Sequence, residues 1–297
     1  PTSSNGRIES NQALALMGSS VGAAGDVNGD GYDDVIVGAP RYDAGETDEG
    51  AAFVFLGSPT GIGIRNPATA HARFESNRAS AALGGARAVA SAGDVNADGF
   101  DDVIVGAPDY DGASFRNGIV LLFNGSAAGL ANGNPLTAAT RFESSLSRDH
   151  VGASVSSAGD VNGDGYGDVV VGAPSDLTIN GRGAVYVLLG SSGGVANEVA
   201  QSASRKLGFD FGGQLWGSSV AFAGDVNGDG TGDLIAGAPR FDTQLANDER
   251  AEGAAMVLHQ NWLGRPVLAR QRRGDASGIP VQPGGSAYAG DRFKIEL

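Results

Sequence analysis

Apolar residues along this chain come in short runs bounded by Gly, Asp, Ser and Pro, and nowhere hold a helical spacing for more than a turn or two. Four runs are near copies of one another: Asp34-Val-Ile-Val37, Asp102-Val-Ile-Val105, Asp168-Val-Val-Val171 and Asp233-Leu-Ile-Ala236. An uninterrupted apolar run of this length predicts a short strand buried on both faces. Each ends in Gly-Ala-Pro, and the proline, which has no N–H to give a ladder, stops it. A strand of small residues precedes each run, as in Ser19 to Ala24 and Ser154 to Ala158. A third strand follows at Ala52 to Leu56, Ile119 to Phe123, Ala184 to Leu189 and Ala254 to Leu258. A more polar fourth element, Arg73-Phe-Glu-Ser76 or Arg141-Phe-Glu-Ser144, closes the unit.

The units repeat in sequence as well as in pattern. Ala-Gly-Asp-Val-Asn-x-Asp-Gly begins at Ala24, Ala92, Ala158 and Ala223, and its first aspartates, Asp26, Asp94, Asp160 and Asp225, stand 68, 66 and 65 residues apart. Residues 11–76, 77–143, 144–208 and 209–275 are thus four complete units of one domain spanning 1–297. The same period lands on Gly290-Asp291, so a partial fifth unit, without the loop, occupies 276–297. Four short strands per repeat predict an all-β fold, a β-propeller of four-stranded antiparallel blades with the small-residue strand at the crowded centre. A seven-bladed ring at this period would need roughly 460 residues. Arg7-Ile-Glu-Ser10 repeats the fourth-strand phrase with no first three strands before it. Two readings stand for this orphan: it pairs with Ser286 to Ala289 and Phe293 to Leu297 to close the ring and hide both edges, or both ends continue into a longer chain.

Each loop between the first two strands concentrates oxygen. In Asp26-Val-Asn-Gly-Asp-Gly-Tyr-Asp-Asp34, side-chain oxygens stand at positions 1, 3, 5 and 9, glycine at 6 permits a sharp bend, and position 7 can offer a carbonyl. The expected ligand sets are Asp26, Asn28, Asp30, Tyr32 and Asp34; Asp94, Asn96, Asp98, Phe100 and Asp102; Asp160, Asn162, Asp164, Tyr166 and Asp168; and Asp225, Asn227, Asp229, Thr231 and Asp233. Hard oxygens in alternation suit Ca²⁺. Asp, Asn and Gly also make good turns, which explains one such loop but not four copies with the same oxygen positions. An EF-hand would need a bidentate Glu at position 12, where Val37, Val105, Val171 and Ala236 stand. Asp33 and Asp101 at position 8 give way to Gly167 and Gly232, and are expected to face solvent.

Composition narrows the rest. The chain carries 34 acidic against 20 basic residues, a formal charge of −14, which repels nucleic acid and anionic membranes. Four structural calcium ions would bring that charge to −6. No run approaches the roughly 20 apolar residues of a membrane span. There is no cysteine, hence no disulfide and no thiolate chemistry. The three histidines, His71, His150 and His259, fall at different places in the repeat, and no GxxxxGK[ST], HExxH or GxSxG occurs, so no enzyme is expected. His150 beside Asp149 reads as a solvated pair. Tyr42, Tyr110 and Phe241 each follow Gly-Ala-Pro by two residues, a pattern from which a sugar-binding ring of aromatics on one face could be built.

Asp-x-Asn-x-Asp-Gly-x-x-Asp followed by Val-Ile-Val-Gly-Ala-Pro resembles the FG-GAP repeat of integrin α-subunit propellers and their bacterial relatives, over approximately residues 11–275. The Gly-Ala-Pro elements are at 38–40, 106–108, 172–174 and 237–239, and the first pair reads Met17-Gly18, Val151-Gly152 and Trp216-Gly217, with Gly85-Ala86 at that offset in the second repeat. The resemblance implies a calcium-stabilised propeller outside the cytoplasm, either extracellular, on the cell surface or periplasmic. Such a module would serve adhesion or bind a protein or glycan on one face, with a lectin or an accessory domain of a secreted enzyme as the alternative. Arg273-Gly274-Asp275 spells a tripeptide that integrins bind, but in so glycine-rich a chain it is read as coincidence unless it sits at an exposed loop tip, and the cationic stretch from Arg265 to Arg273 as solvating a linker or contacting another domain.

Overall fold

The computed structural model describes residues 6–176, 183–203, 205–207, 215–241 and 253–259. Strand β1 (Gly6–Ile8) comes first. The first repeat contains β2 (Ser20–Gly25), β3 (Asp34–Ala39), β4 (Ala51–Phe55), the short β5 (Gly63–Arg65) and β6 (Ala72–Glu75). The second contains β7 (Val89–Gly93), β8 (Asp102–Ala107), β9 (Ile119–Phe123) and β10 (Thr140–Glu143). The third has β11 (Ser154–Gly159), β12 (Asp168–Ala173), β13 (Ala184–Leu188), β14 (Glu198–Val199) and β15 (Lys206–Leu207). The fourth has β16 (Ser219–Gly224), β17 (Asp233–Ala238) and β18 (Ala254–Leu258). One 3₁₀ turn, Pro67–Thr69, is the helical element among the described residues.

The main strands of each repeat form an antiparallel sheet in chain order, β2-β3-β4-β6, β7-β8-β9-β10, β11-β12-β13-β15 and β16-β17-β18, and β14 of the third repeat adds in parallel to the β10 edge of the second. The second strands are mostly buried, as uninterrupted apolar runs require: every residue of β8 and of β12 is buried, all but one of β3 and all but two of β17. First strands of neighbouring repeats lie side by side, β2 by β7, β7 by β11 and β11 by β16, which is why they are built of Gly, Ala and Ser. The core between sheets is correspondingly apolar: Ile36, Val54, Phe74 and Leu83 of the first interface pack with Val103, Val105, Leu121 and Phe123. Phe74 and Phe123 stack with ring centroids 4.0 Å apart.

A glycine clamp joins each sheet to the next at the end where the second strand finishes. Gly84 donates its N–H to the Gly106 carbonyl of its own repeat at 3.0 Å, and a Cβ on Gly38 of the preceding repeat would lie 2.0 Å from the Gly84 carbonyl oxygen. The arrangement recurs with Gly152, bonded to Gly172 and set against Gly106, and with Gly217, bonded to Gly237 and set against Gly172. Gly84 has φ +74°, a left-handed conformation that glycine takes without cost. This geometry corrects the second repeat's pair: it is Leu83-Gly84, not Gly85-Ala86. Asp94 follows Gly84 by ten residues, whereas eight separate Gly18 from Asp26, Gly152 from Asp160 and Gly217 from Asp225, so an insertion displaced the pattern.

The orphan strand has a defined place. β1 pairs in parallel with β5, Arg7 opposite Ile64. Phe74 of β6 bridges Gly133 in parallel, and β10 pairs in parallel with β14, Phe142 opposite Glu198. β1 therefore stands to the first repeat as β6 stands to the second and β10 to the third: it is the outer strand of a preceding unit. Its Arg7–Glu9 ion pair repeats Arg73–Glu75 and Arg141–Glu143. Its expected partners, Ser286 to Ala289 and Phe293 to Leu297, lie outside the described residues, as do the partial fifth unit, the cationic stretch and Arg273-Gly274-Asp275.

Candidate metal loops

All four acidic loops join the first strand of a sheet to the second, so all lie at the same end of their sheets, opposite the glycine clamp. Each is entered through a β-bulge, at Ala23/Gly25, Ser91/Gly93, Ser157/Gly159 and Phe222/Gly224. The bulge glycine has positive φ, +77° at Gly25, and the pairing resumes at the ninth position, Gly25 opposite Asp34.

Inside the loop the carboxylates hold the backbone. Asp26 Oδ1 accepts the N–H of Asp30 at 3.0 Å and Oδ2 that of Gly31 at 2.8 Å. Asn28 Oδ1 accepts from Asp30 N at 3.2 Å, Asp30 Oδ1 accepts from Tyr32 N at 3.0 Å, and Asn28 Nδ2 donates to Asp30 Oδ2 at 3.0 Å. The same bonds recur around Asp94, Asn96 and Asp98, around Asp160, Asn162 and Asp164, and around Asp225, Asn227 and Asp229. The ninth residue ties the loop to the sheet. Asp34 Oδ2 accepts from Val27 N at 3.0 Å and Oδ1 from Gly57 N at 2.7 Å, with Asp102 on Val95 and Gly125, and Asp168 on Val161 and Gly190, doing the same.

Neighbouring loops are also bonded to one another. Asp101 N donates to the Asp26 carbonyl at 3.1 Å, and Gly167 N donates to that of Asp94 at 2.8 Å. Asp101 does not face solvent as its sequence position suggested; its Oδ2 accepts the N–H of Asp26 at 2.9 Å, and a Cβ on Gly25 would strike it. The cause lies in the neighbouring repeat, which no reading of one loop contains. Asp33 is exposed as expected.

The electrostatics of the ninth position are those of a site in want of positive charge. Asp34, Asp102, Asp168 and Asp233 are fully buried. Burial raises the carboxyl pKa of Asp34, pushes Asp102 up to about 7 and Asp168 to about 6, against the lowering effect of their N–H bonds, and the aspartates at positions 1 and 5 add repulsion. No Lys or Arg among the described residues pairs with a carboxylate of the first three loops. As the side chains stand they face the loop's own N–H groups, and among the described residues no three Asp, Glu or His converge on one metal position. In the first two loops each of these carboxylate oxygens accepts one hydrogen bond and keeps a second lone pair, whereas Asp160 Oδ1 and Asp225 Oδ1 each accept two; the side-chain donors of the loops are hard oxygens, the type that a hard divalent cation takes.

Other sequence candidates are placed as follows. Tyr42, Tyr110 and Phe241 are buried, with Tyr42 edge-on to Phe53 at 5.1 Å, so they form no exposed aromatic ring for sugars. Spacing alone did not reveal that the turn following Gly-Ala-Pro directs its aromatic residue inward. His150 does not pair with Asp149, which is buried and accepts a hydrogen bond from Ser144 Oγ; His150 Nε2 lies 3.5 Å from Asp109 Oδ1. That hydrogen bond, together with Arg116, holds the Asp109 carboxyl below its ordinary range. His259, set aside in the sequence, reaches the fourth acidic loop: its Nδ1 lies 3.1 Å from Asp233 Oδ2. The register reveals why, since Leu258 pairs with Leu234 as Phe55 pairs with Val35, which sets the next residue beside the loop. No helix among the described residues is long and apolar enough to cross a membrane.

A family model described as FG-GAP repeat matches residues 17–55, 86–123, 151–188 and 216–254. The chain is similar to "Integrin alpha pat-2" of Caenorhabditis briggsae, 34% identical over 241 residues, which is 73% of this chain and 17% of that protein. It is similar to "Integrin alpha-3" of Cricetulus griseus, 30% identical over 239 residues, covering 80% of this chain and 20% of that protein. To "Integrin alpha-PS5" of Drosophila melanogaster it is 36% identical over 154 residues, 49% of this chain and 14% of that protein. The chain thus spans a fifth or less of the length of these curated relatives.

Proposed function

Because the chain belongs to the FG-GAP repeat family, we propose that it is an integrin-α-like β-propeller module, non-catalytic, that holds structural Ca²⁺ in its four acidic loops and serves adhesion or ligand binding outside the cytoplasm. One observation carries the reading: four loops with the same oxygen positions fold into the same hydrogen-bonded frame, each closed by a fully buried carboxylate. A reaction centre is not ordinarily copied into successive units, whereas a structural ion that neutralises each loop is useful in all of them. The ions would be held by Asp26, Asn28, Asp30 and Asp34 and their counterparts, with the carbonyl of the seventh residue.

Adjacent first strands and the parallel pairing of β1 with β5 support reading the sheets as propeller blades, with β1 as the outer strand of a further blade. A protein or glycan partner would engage loops at one end of the sheets, where recognition is built on a rigid frame. The millimolar free calcium outside cells matches the affinities of extracellular calcium modules, about 10⁻⁴ to 10⁻³ M.

Equilibrium dialysis of chelator-treated protein against millimolar calcium, read by elemental mass analysis, tests the metal. Near-stoichiometric occupancy of the acidic loops that magnesium does not displace is expected; a chain that retains no calcium contradicts the reading. Adhesion is tested separately, by attachment of cells to immobilised, calcium-loaded protein, which should be lost on chelation.

A further inference from the structure

The second repeat departs from the other three just before its first strand. Val89 follows Gly84 by five residues, whereas Val21, Val155 and Val220 follow Gly18, Gly152 and Gly217 by three. From there the strands pair alike, Val89 opposite Val105 as Val21 is opposite Val37 and Val155 opposite Val171, so the two extra residues are taken up between the clamp glycine and the strand. They bring Gly85-Ala86-Arg87 to a place that Ser19, Ala153 and Ser218 each fill singly.

Backbone bonds hold the insertion in place. Ala88 N donates to the Gly85 carbonyl at 3.0 Å, and Gly106 N to that of Ala88 at 2.8 Å. The Arg87 carbonyl accepts the N–H of Val155 at 2.9 Å and so reaches the first strand of the third repeat. Arg87 has φ +63°, a left-handed conformation that costs any residue with a Cβ and that glycine takes freely. The bonds are all made by the main chain, and glycine would make them with less strain, so nothing in the fold asks for arginine here. Strain kept where the fold does not need it points to the side chain that it carries. That side chain is exposed, beside the exposed Ala86.

Its charge is also unanswered. The chain has 34 acidic residues against 20 basic, yet the segments that lead into and form the first strands, 10–25, 76–93, 150–159 and 215–224, contain no Asp or Glu. Among the described residues no carboxylate pairs with Arg87. We propose that Arg87 is a docking point for an acidic side chain of a protein partner, received at the clamp end where the first strands of the second and third repeats meet. This deepens the reading of the chain as a ligand-binding module and rests on it. A guanidinium takes a carboxylate through two parallel N–H bonds, and a backbone fixed beforehand leaves only the side chain to be ordered. A single carboxylate on a protein suits the site better than a polyanion, which the formal charge of −14 repels.

The probe is the peptide Gly-Gly-Glu-Gly-Gly, acetylated and amidated so that the glutamate is its one carboxylate, with the glutamine peptide as control. The isotopically labelled full chain, in millimolar calcium, is titrated with each and followed by NMR at the Arg87 side chain and at the backbone amides of Ala88 and Val155. Saturable shifts with the glutamate peptide and none with the glutamine peptide are expected. In Arg87→Gly the amide shifts should be lost while the thermal midpoint rises, because strain has been relieved; in Arg148→Ala they should persist. No shift, equal shifts with the glutamine peptide, shifts that survive in Arg87→Gly, or a midpoint that falls in that variant would overturn the inference. The parent reading fails separately. Cell attachment without a response at Arg87 removes this inference alone, and a response at Arg87 in a chain that holds no calcium removes only the metal.

Discussion

At one end of the sheets backbone N–H groups are held by aspartate side chains; at the other, Gly84, Gly152 and Gly217, each bonded within its own repeat, pack their carbonyls against a glycine of the preceding one. Strand β8 contains both: Asp102 at its start accepts the N–H groups of Val95 and Gly125, and Gly106 near its finish has the Gly152 carbonyl oxygen where a Cβ would be. The clamp end is uncharged and steric, and is expected to be indifferent to ions. The loop end gathers carboxylates whose mutual repulsion opposes their N–H bonds, so on the proposed reading it is the end that takes a cation from solution. The same repeat thus separates shape, fixed by glycine, from stability under given conditions, fixed by charge.

The largest effect is expected at the clamp. Gly106→Ala places a methyl 2.1 Å from the Gly152 oxygen, and since backbone must move, a loss of about 3 kcal/mol is expected. Denaturant unfolding should return the same loss with and without calcium; a loss that calcium rescues would mean that the two ends are not independent. Next is Asp168→Asn, which removes one buried charge and leaves an amide oxygen to accept one of two N–H bonds. It should cost about 2 kcal/mol in saturating calcium, with one fewer calcium bound, and far less in chelator; equal costs in both would show that Asp168 is only a structural acceptor. The smallest is Asp101→Gly, the residue that the third and fourth loops carry at that position. It removes the bond to Asp26 N for about 1 kcal/mol, and calcium isotherms should show the first loop weakened while the third is unchanged.

Period and strand order could be read from the chain because each copy repeats the same local physics: an apolar run, a proline stop, a strand of small residues at the crowded side. The frame of each acidic loop was readable for the same reason, since positions 1, 3, 5 and 9 lie within nine residues. Contacts between repeats were not readable. Asp101 on the preceding loop, Leu83-Gly84 as the clamp pair, the inward turn of Tyr42 and Tyr110, and His150 on Asp109 are each set by a residue tens of positions away or in a neighbouring sheet. His259 is the clearest case. Nothing in the fourth loop's own sequence announces it, and only the register of β18 on β17 brings it to Asp233.

The central claim, that the acidic loops are cation sites on which the fold depends, is tested most directly by thermal unfolding from chelator-treated protein to about 10 mM free calcium. An ion that binds only the folded chain must raise the midpoint, by about 2.7 kcal/mol for each site at a concentration 100 times its Kd. A large, saturable rise that magnesium does not reproduce is the predicted result. An unchanged midpoint would contradict the account and leave the loops as acidic turns.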